Sequence, residues 1–170
     1  MLDIYCVGAV APATKIAMYF APNSFQGFID TILAAATDTE NNPSVISISW
    51  GTTDTYWDFY GLTDAFETAL QTATVKGITT FVAAGDYGVK AISSSSTYTV
   101  QYPATSRYVV SAGGTVVSIN NDYTIASESP WGTSGGSYAG GGGVSTLFPL
   151  PQWQNGFSSK LYPGGSVTAL

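Results

Sequence analysis

Histidine does not occur in the 170 residues. Its absence removes the Ser-His-Asp and Cys-His proton relays, and any histidine-ligated zinc site, from what these residues can do. Cysteine occurs once, at Cys6, so neither an internal disulfide nor a multi-thiolate metal site can form. Flanked by Ile4, Tyr5 and Val7, its thiol is expected to be buried and inert rather than nucleophilic. Charge is scarce too: five basic and eleven acidic residues leave a net charge of −6. Nucleic acids and anionic membranes are bound mainly through Lys and Arg, so neither is expected as a partner. No apolar run approaches membrane-spanning length and no basic leader opens the sequence, which therefore reads as soluble, without a targeting segment of its own.

What is present is apolar surface, aromatic rings and glycine. Hydrophobic residues make up 45% and aromatic residues 14%, too much for a disordered chain. One compact unit of this length buries roughly 70% of its unfolded surface. Acid destabilises proteins largely by protonating paired carboxylates. A chain with so few charges has few such pairs to lose, which fits an extracellular or acidic setting.

Leu2 to Ala9 reads as the end of a helix. Lys15 to Ala21 (KIAMYFA) reads as a short buried strand stopped by Pro22-Asn23. Ser24 is placed to cap a helix in which Phe25, Phe28, Ile29, Ile32 and Leu33 recur at helical spacing. Ser44 to Trp50 (SVISISW) is the next strand. An amphipathic helix from about Phe59 to Lys76 follows and stops at Gly77. Ile78 to Ala84 (ITTFVAA) and Arg107 to Ala112 (RYVVSA) are further strands. Thr115 to Ile119 and Tyr123 to Ala126 flank Asn120-Asn121-Asp122 as a hairpin. The alternation predicts an α/β fold with a mainly parallel sheet and flanking helices. Ser134 to Gly143 (SGGSYAGGGG) reads as a glycine-rich surface loop.

Parallel sheets bind ligands outside the carboxyl ends of their strands. Two such ends carry unusual residues, Ser49-Trp50-Gly51 and Ala83-Ala84-Gly85-Asp86. A carboxylate in Asp86's position is a helix cap, a solvated turn residue or a site group. Burial at the end of an apolar strand is expected for it.

SVISISWG followed by FVAAGDYG resembles the sedolisins, serine-carboxyl peptidases of subtilisin-like fold. The blocks LDI…GAVAPATKIAMYFAPN, YPATSRYVVSAGGT and GGGVSTLFPLPQWQ extend the resemblance, in the family's order, over almost the whole chain. In that family a serine attacks the peptide carbonyl. A glutamate and an aspartate replace the histidine, and a second aspartate replaces the asparagine of subtilisin's oxyanion hole. The resemblance implies that Asp3 is the catalytic aspartate and Asp86 the oxyanion aspartate. It makes Ser49, Trp50 and Gly51 the edge along which an extended peptide substrate is laid; the plainer reading of Trp50 is a core or rim aromatic.

Two parts of the family pattern are not met. The glutamate belongs four residues before Asp3, ahead of Met1, and no Ser-Gly-Thr-Ser-Ala motif occurs. Gly132-Thr133-Ser134 imitates it, but Gly135-Gly136-Ser137 follows where an apolar helix should open, so Ser134 is set aside as nucleophile. The family's calcium ligands belong near the far C-terminal end, so no cofactor and no metal site are expected here. The expectation is that residues 1–170 form the central part of a sedolisin-like peptidase domain with a partial subtilisin-like fold. Such a piece of an extracellular endopeptidase acting on peptides in acid would be inactive by itself and prone to self-association through uncovered apolar surface. The alternatives are a degenerate module that holds extended peptides without cleaving them, and a two-chain enzyme whose partner supplies the glutamate and serine.

Overall fold

A computed structural model describes residues 2–93, 98–132 and 137–155. Ser24 is extended, and its side chain accepts a hydrogen bond from the Gly27 amide at 3.1 Å, starting helix α2 (Phe25–Thr37) as the capping rule requires. Ile29, Ile32, Ala35 and Ala36 fall on one face of it and are buried. Helix α1 (Leu2–Val10) precedes it. Strands β1 (Val45–Ile48) and β2 (Thr52–Thr53) follow, then helices α3 (Asp54–Phe59) and α4 (Thr63–Val75). Phe66, Ala69, Leu70 and Ala73 give α4 its own buried face, and α2 packs against α4. The chain closes with β3 (Thr79–Ala83), β4 (Gln101–Tyr102), β5 (Val109–Ala112), the hairpin β6 (Thr115–Ile119) and β7 (Ile125–Pro130), and a single 3₁₀ turn at Gln152–Gln154.

The main sheet is parallel with order β1-β3-β5, Ile46 opposite Thr80, Ile48 opposite Val82 and Val82 opposite Ser111. Strand side chains alternate between faces. Ile48, Thr80 and Val82 turn toward the helices and are buried, while Val45, Phe81 and Val110 on the other face are exposed. The core is an aromatic-rich cluster in which Trp57, Phe66 and Tyr102 meet edge to face, with centroids 4.9–5.5 Å apart. Hairpin β6–β7 stands outside it, and every residue of β6 is exposed. No described helix is long and apolar enough to cross a membrane.

The α/β class, the parallel sheet, the cap at Ser24, the hairpin and the helix stop at Gly77 (φ +77) agree with the sequence reading. Three local expectations do not. Lys15 to Ala21 forms no strand, and Ile16, Met18 and Phe20 are exposed. A strand exists only with a ladder partner, and β1 pairs with β3 alone. The segment is tied down by the Tyr19 hydroxyl, which donates to Asp38 at 2.7 Å. Cys6 is exposed rather than buried, because α1 carries apolar residues all round and buries none of them. The helix expected from about Phe59 to Lys76 is α4, which begins later, at Thr63, and the separate helix α3 from Asp54 to Phe59, set off by Gly61 (φ +65), was not expected.

Candidate active site

Strand β1 ends at Ile48, and the next three residues carry the chain over the edge of the core. Trp50 is half-buried: it stacks on Phe28 with centroids 3.7 Å apart and meets Phe66 edge-on at 5.9 Å. It packs as a rim aromatic, with part of its surface still open. Gly51 passes so close to β4 that a Cβ there would lie 2.8 Å from the Tyr102 carbonyl oxygen and 3.1 Å from Gln101 Oε1. Beyond it, Thr52 and Thr53 pair antiparallel with Tyr102 and Gln101.

Asp3 lies in the first turn of α1 and is exposed, and its carboxylate accepts a short hydrogen bond from the Ser49 hydroxyl across 46 positions of sequence. Two of the residues singled out in the sequence are thus in contact. Asp86 leaves the end of β3 on the opposite side of Gln101, whose side chain sits between Gly51 and Gly85 and donates from Nε2 to the Ala91 carbonyl at 2.7 Å. Among the described residues no hydrogen bond joins the Asp86 carboxylate to Asp3 or Ser49.

Asp86 is exposed, contrary to the burial expected at a strand end. The reason is its backbone. Its carbonyl accepts from the Ala139 amide at 2.8 Å, and Gly141 N–H bonds the Gly85 carbonyl at 2.8 Å, so a second segment runs along the loop and leaves the carboxylate outside. A Cβ at Gly141 would stand 1.9 Å from the Ala84 carbonyl oxygen, so only glycine permits this approach. Residues 137–143 of the glycine-rich stretch are therefore a wall beside Asp86 rather than a free surface loop. Ser134 lies outside the described residues.

A crevice of about 560 Å³ opens next to this wall, lined by Ala84, Gln101, Ser106, Arg107, Val144 and Phe148 among others. Below it the Tyr102 hydroxyl donates to Glu67 Oε1 at 2.9 Å. Burial pushes the Glu67 carboxyl up, against hydrogen bonds from Ser106 and Tyr102 and the Arg107 charge, which pull it down. Tyr102 is raised well above the ordinary tyrosine range by burial and by the Glu67 charge. The described residues contain no group of three or more acidic, histidine or cysteine side chains able to hold a metal ion.

The subtilase family profile matches residues 3–142. The chain belongs to the subtilase family. Within it the similarity is to the sedolisin branch. Kumamolisin of Bacillus sp. (strain MN-32) is 43% identical over 155 residues, covering 90% of this chain and 27% of that protein. Sedolisin of Pseudomonas sp. (strain 101) is 30% identical over 162 residues, covering 88% of this chain and again 27% of the relative. Among solved structures, Pseudomonas sedolisin, a serine-carboxyl proteinase complexed with two molecules of pseudo-iodotyrostatin, superposes with a TM-score of 0.67 at 28% identity, over 78% of this chain and 38% of that one. The chain spans about a quarter of the length of the curated relatives it matches.

In this subtilase the sequence reading located both strand ends and named Asp3 and Ser49 separately, without their contact, and it missed Gln101, Gly141 and Asp54. Asp54 is 1% exposed, and its carboxylate accepts from Thr55 N–H, Ser145 Oγ and Thr146 N–H. Its only signal was an acid two residues beyond Gly51-Thr52, in a stretch assigned to no element. For Gln101 there was none.

Proposed function

We propose that these residues form the peptide-facing part of a serine-carboxyl peptidase acting in acid outside the cell. Asp3 is the relay carboxylate, Asp86 the oxyanion donor, and Ser49-Trp50-Gly51 the edge that receives an extended polypeptide. The observation that carries this reading is the hydrogen bond between Ser49 and Asp3, which fixes an acid at the start of that edge. Without histidine in these residues, the acid–base groups at this edge are carboxylates, whose range is acidic. A carboxylate has no hydrogen to donate unless protonated, so Asp86 serves an oxyanion only in its neutral form.

The test has two stages. The purified chain is offered a fluorogenic extended peptide between about pH 3 and 7, the range in which carboxylates change charge, and is expected to bind it without turnover. Joined to the glutamate- and serine-bearing segments of a kumamolisin-type enzyme, it should cleave the peptide in acid. Asp86→Ala should then cost roughly 10²–10³ in kcat, as loss of an oxyanion donor does, and Asp86→Asn less, with its alkaline limb moved upward. Turnover by the unsupplemented chain that Ser134→Ala abolishes would assign a different nucleophile. Tight binding with no turnover even after joining would favour a module that holds peptides without cleaving them.

A further inference from the structure

Asp54 carries more contacts than its place requires. As the first residue of the six-residue helix α3 it needs only the Thr55 N–H, which its Oδ1 accepts at 2.8 Å. Its other oxygen reaches 91 and 92 positions along the chain, accepting from Ser145 Oγ at 3.0 Å and Thr146 N–H at 3.2 Å. Ser145 Oγ in turn accepts from the amides of Leu147 and Phe148 at 3.1 and 3.2 Å. The Asp54 amide bonds the Val100 carbonyl at 3.1 Å, next to Gln101. A buried carboxylate stays in place only if donors replace the water it has lost. Here those donors come from the segment that walls the crevice.

Upstream, that segment is held where the Gly141 N–H bonds the Gly85 carbonyl at 2.8 Å. Gly142 to Ser145 line the crevice and form no helix or strand, and Gly143 stands at φ +149 with Val100 pressed against it. Further on, Phe148 stacks on Tyr102 at 5.7 Å and anchors the far end in the core. The crevice wall is thus pinned at Gly85, at Asp54 and at Phe148, and Asp54 alone fixes it between the other two; there it lines the crevice with Ser106 and Arg107.

We infer that Asp54 is a positioning residue: by latching Ser145 and Thr146 it holds the glycine wall at the separation that lets the crevice accept an apolar side chain of a bound peptide. The inference rests on the reading of this face as a peptide site. The latch adds nothing to the chemistry and acts on selectivity.

Asp54→Asn and Ser145→Ala test it in the full chain. Asparagine keeps the helix start but has one acceptor oxygen where the carboxylate has two, and Ser145→Ala leaves Asp54 its two amide donors. Hydrogen exchange is followed at Thr146, Leu147 and Phe148 against core amides of β3 and α4. Binding is measured for two fluorescein-labelled octapeptides of alanine, one with a central phenylalanine and one with glycine there. Exchange at 146–148 should rise about tenfold or more in both variants with the core unchanged, as for a local opening. The parent should prefer the phenylalanine peptide by about tenfold or more, as a filled apolar pocket does, and the variants by less than about threefold, with the glycine peptide unaffected. Unchanged exchange at 146–148, or a rise shared equally by the core, overturns the latch. A parent that binds both peptides equally overturns the crevice as a side-chain site while leaving the peptide edge intact. A parent that binds neither overturns the reading of the face itself.

Discussion

The packed layer of α2, α4 and the main sheet and the hairpin β6–β7 both carry large apolar residues, yet these end in opposite states. Phe66, Leu70 and Tyr102 have no exposed surface, whereas Ile119 is 64% exposed and Val116 about half. Both regions have the right local pattern: helical spacing in the first, alternation and a turn in the second, where Asp122 accepts from Thr124. The difference lies in what stands opposite. Each buried face of α2 and α4 meets the other helix or the sheet, whereas among the described residues the two hairpin strands pair with each other and join no other strand. Apolar content sets how much a segment gains from burial, and a facing surface sets whether it gains it.

The sharpest way to break this comparison is to truncate one apolar residue in each region. Phe66→Ala should cost about 3–5 kcal/mol in urea unfolding, the usual result for a fully buried ring, through loss of its contacts with Trp57 and Tyr102. Ser24→Ala should cost about 1 kcal/mol by freeing the Gly27 amide at the start of the packed layer, read as a shift in midpoint with unchanged slope. Glu67 sharpens the comparison through pH. Burial raises its carboxyl in the folded protein, so folding favours the protonated form. Its contribution is fully present below the unfolded value of about 4.3 and is lost as pH rises through the raised folded value. Glu67→Gln should therefore flatten the decline in melting temperature on going from acid toward neutrality, and an unchanged decline would place its origin elsewhere. Smallest of all, Ile119→Ala in the hairpin should move stability by under about 0.5 kcal/mol, as at exposed positions generally. A cost like that of Phe66→Ala would mean the hairpin is packed after all.

What the sequence disclosed follows the same division. The capped helix at Ser24, the stop at Gly77 and both strand ends were readable because each depends on local pattern or on a resemblance spread over several blocks, whereas the contact of Asp3 with Ser49 was not. Lys15 to Ala21 was misread because its apolar run says nothing of whether a neighbouring edge will pair with it. The exposure of Cys6 and Asp86 was missed for a related reason: burial of one residue is decided by segments far along the chain, as Ala139 and Gly141 decide it for Asp86. The same distance hid Asp54 and Gln101, whose partners or neighbours are fixed only when the strap and the two strand ends come together.

The order β1-β3-β5 in space is also their order along the chain. Each strand's neighbour is the next long one to be made, with α4 between Ile48 and Thr79 and, among the described residues, no helix between Ala83 and Val109. Parallel pairing across such separations must meet the loop-closure entropy before its contacts reward it, so it forms slowly. A ribosome that has released residue 112 has already released every strand of the parallel sheet and both helices that cover it. The packed layer is therefore free to assemble during synthesis, while the hairpin and the glycine wall are still to come. The surface against which Gly141 and Ser145 must settle exists before they do.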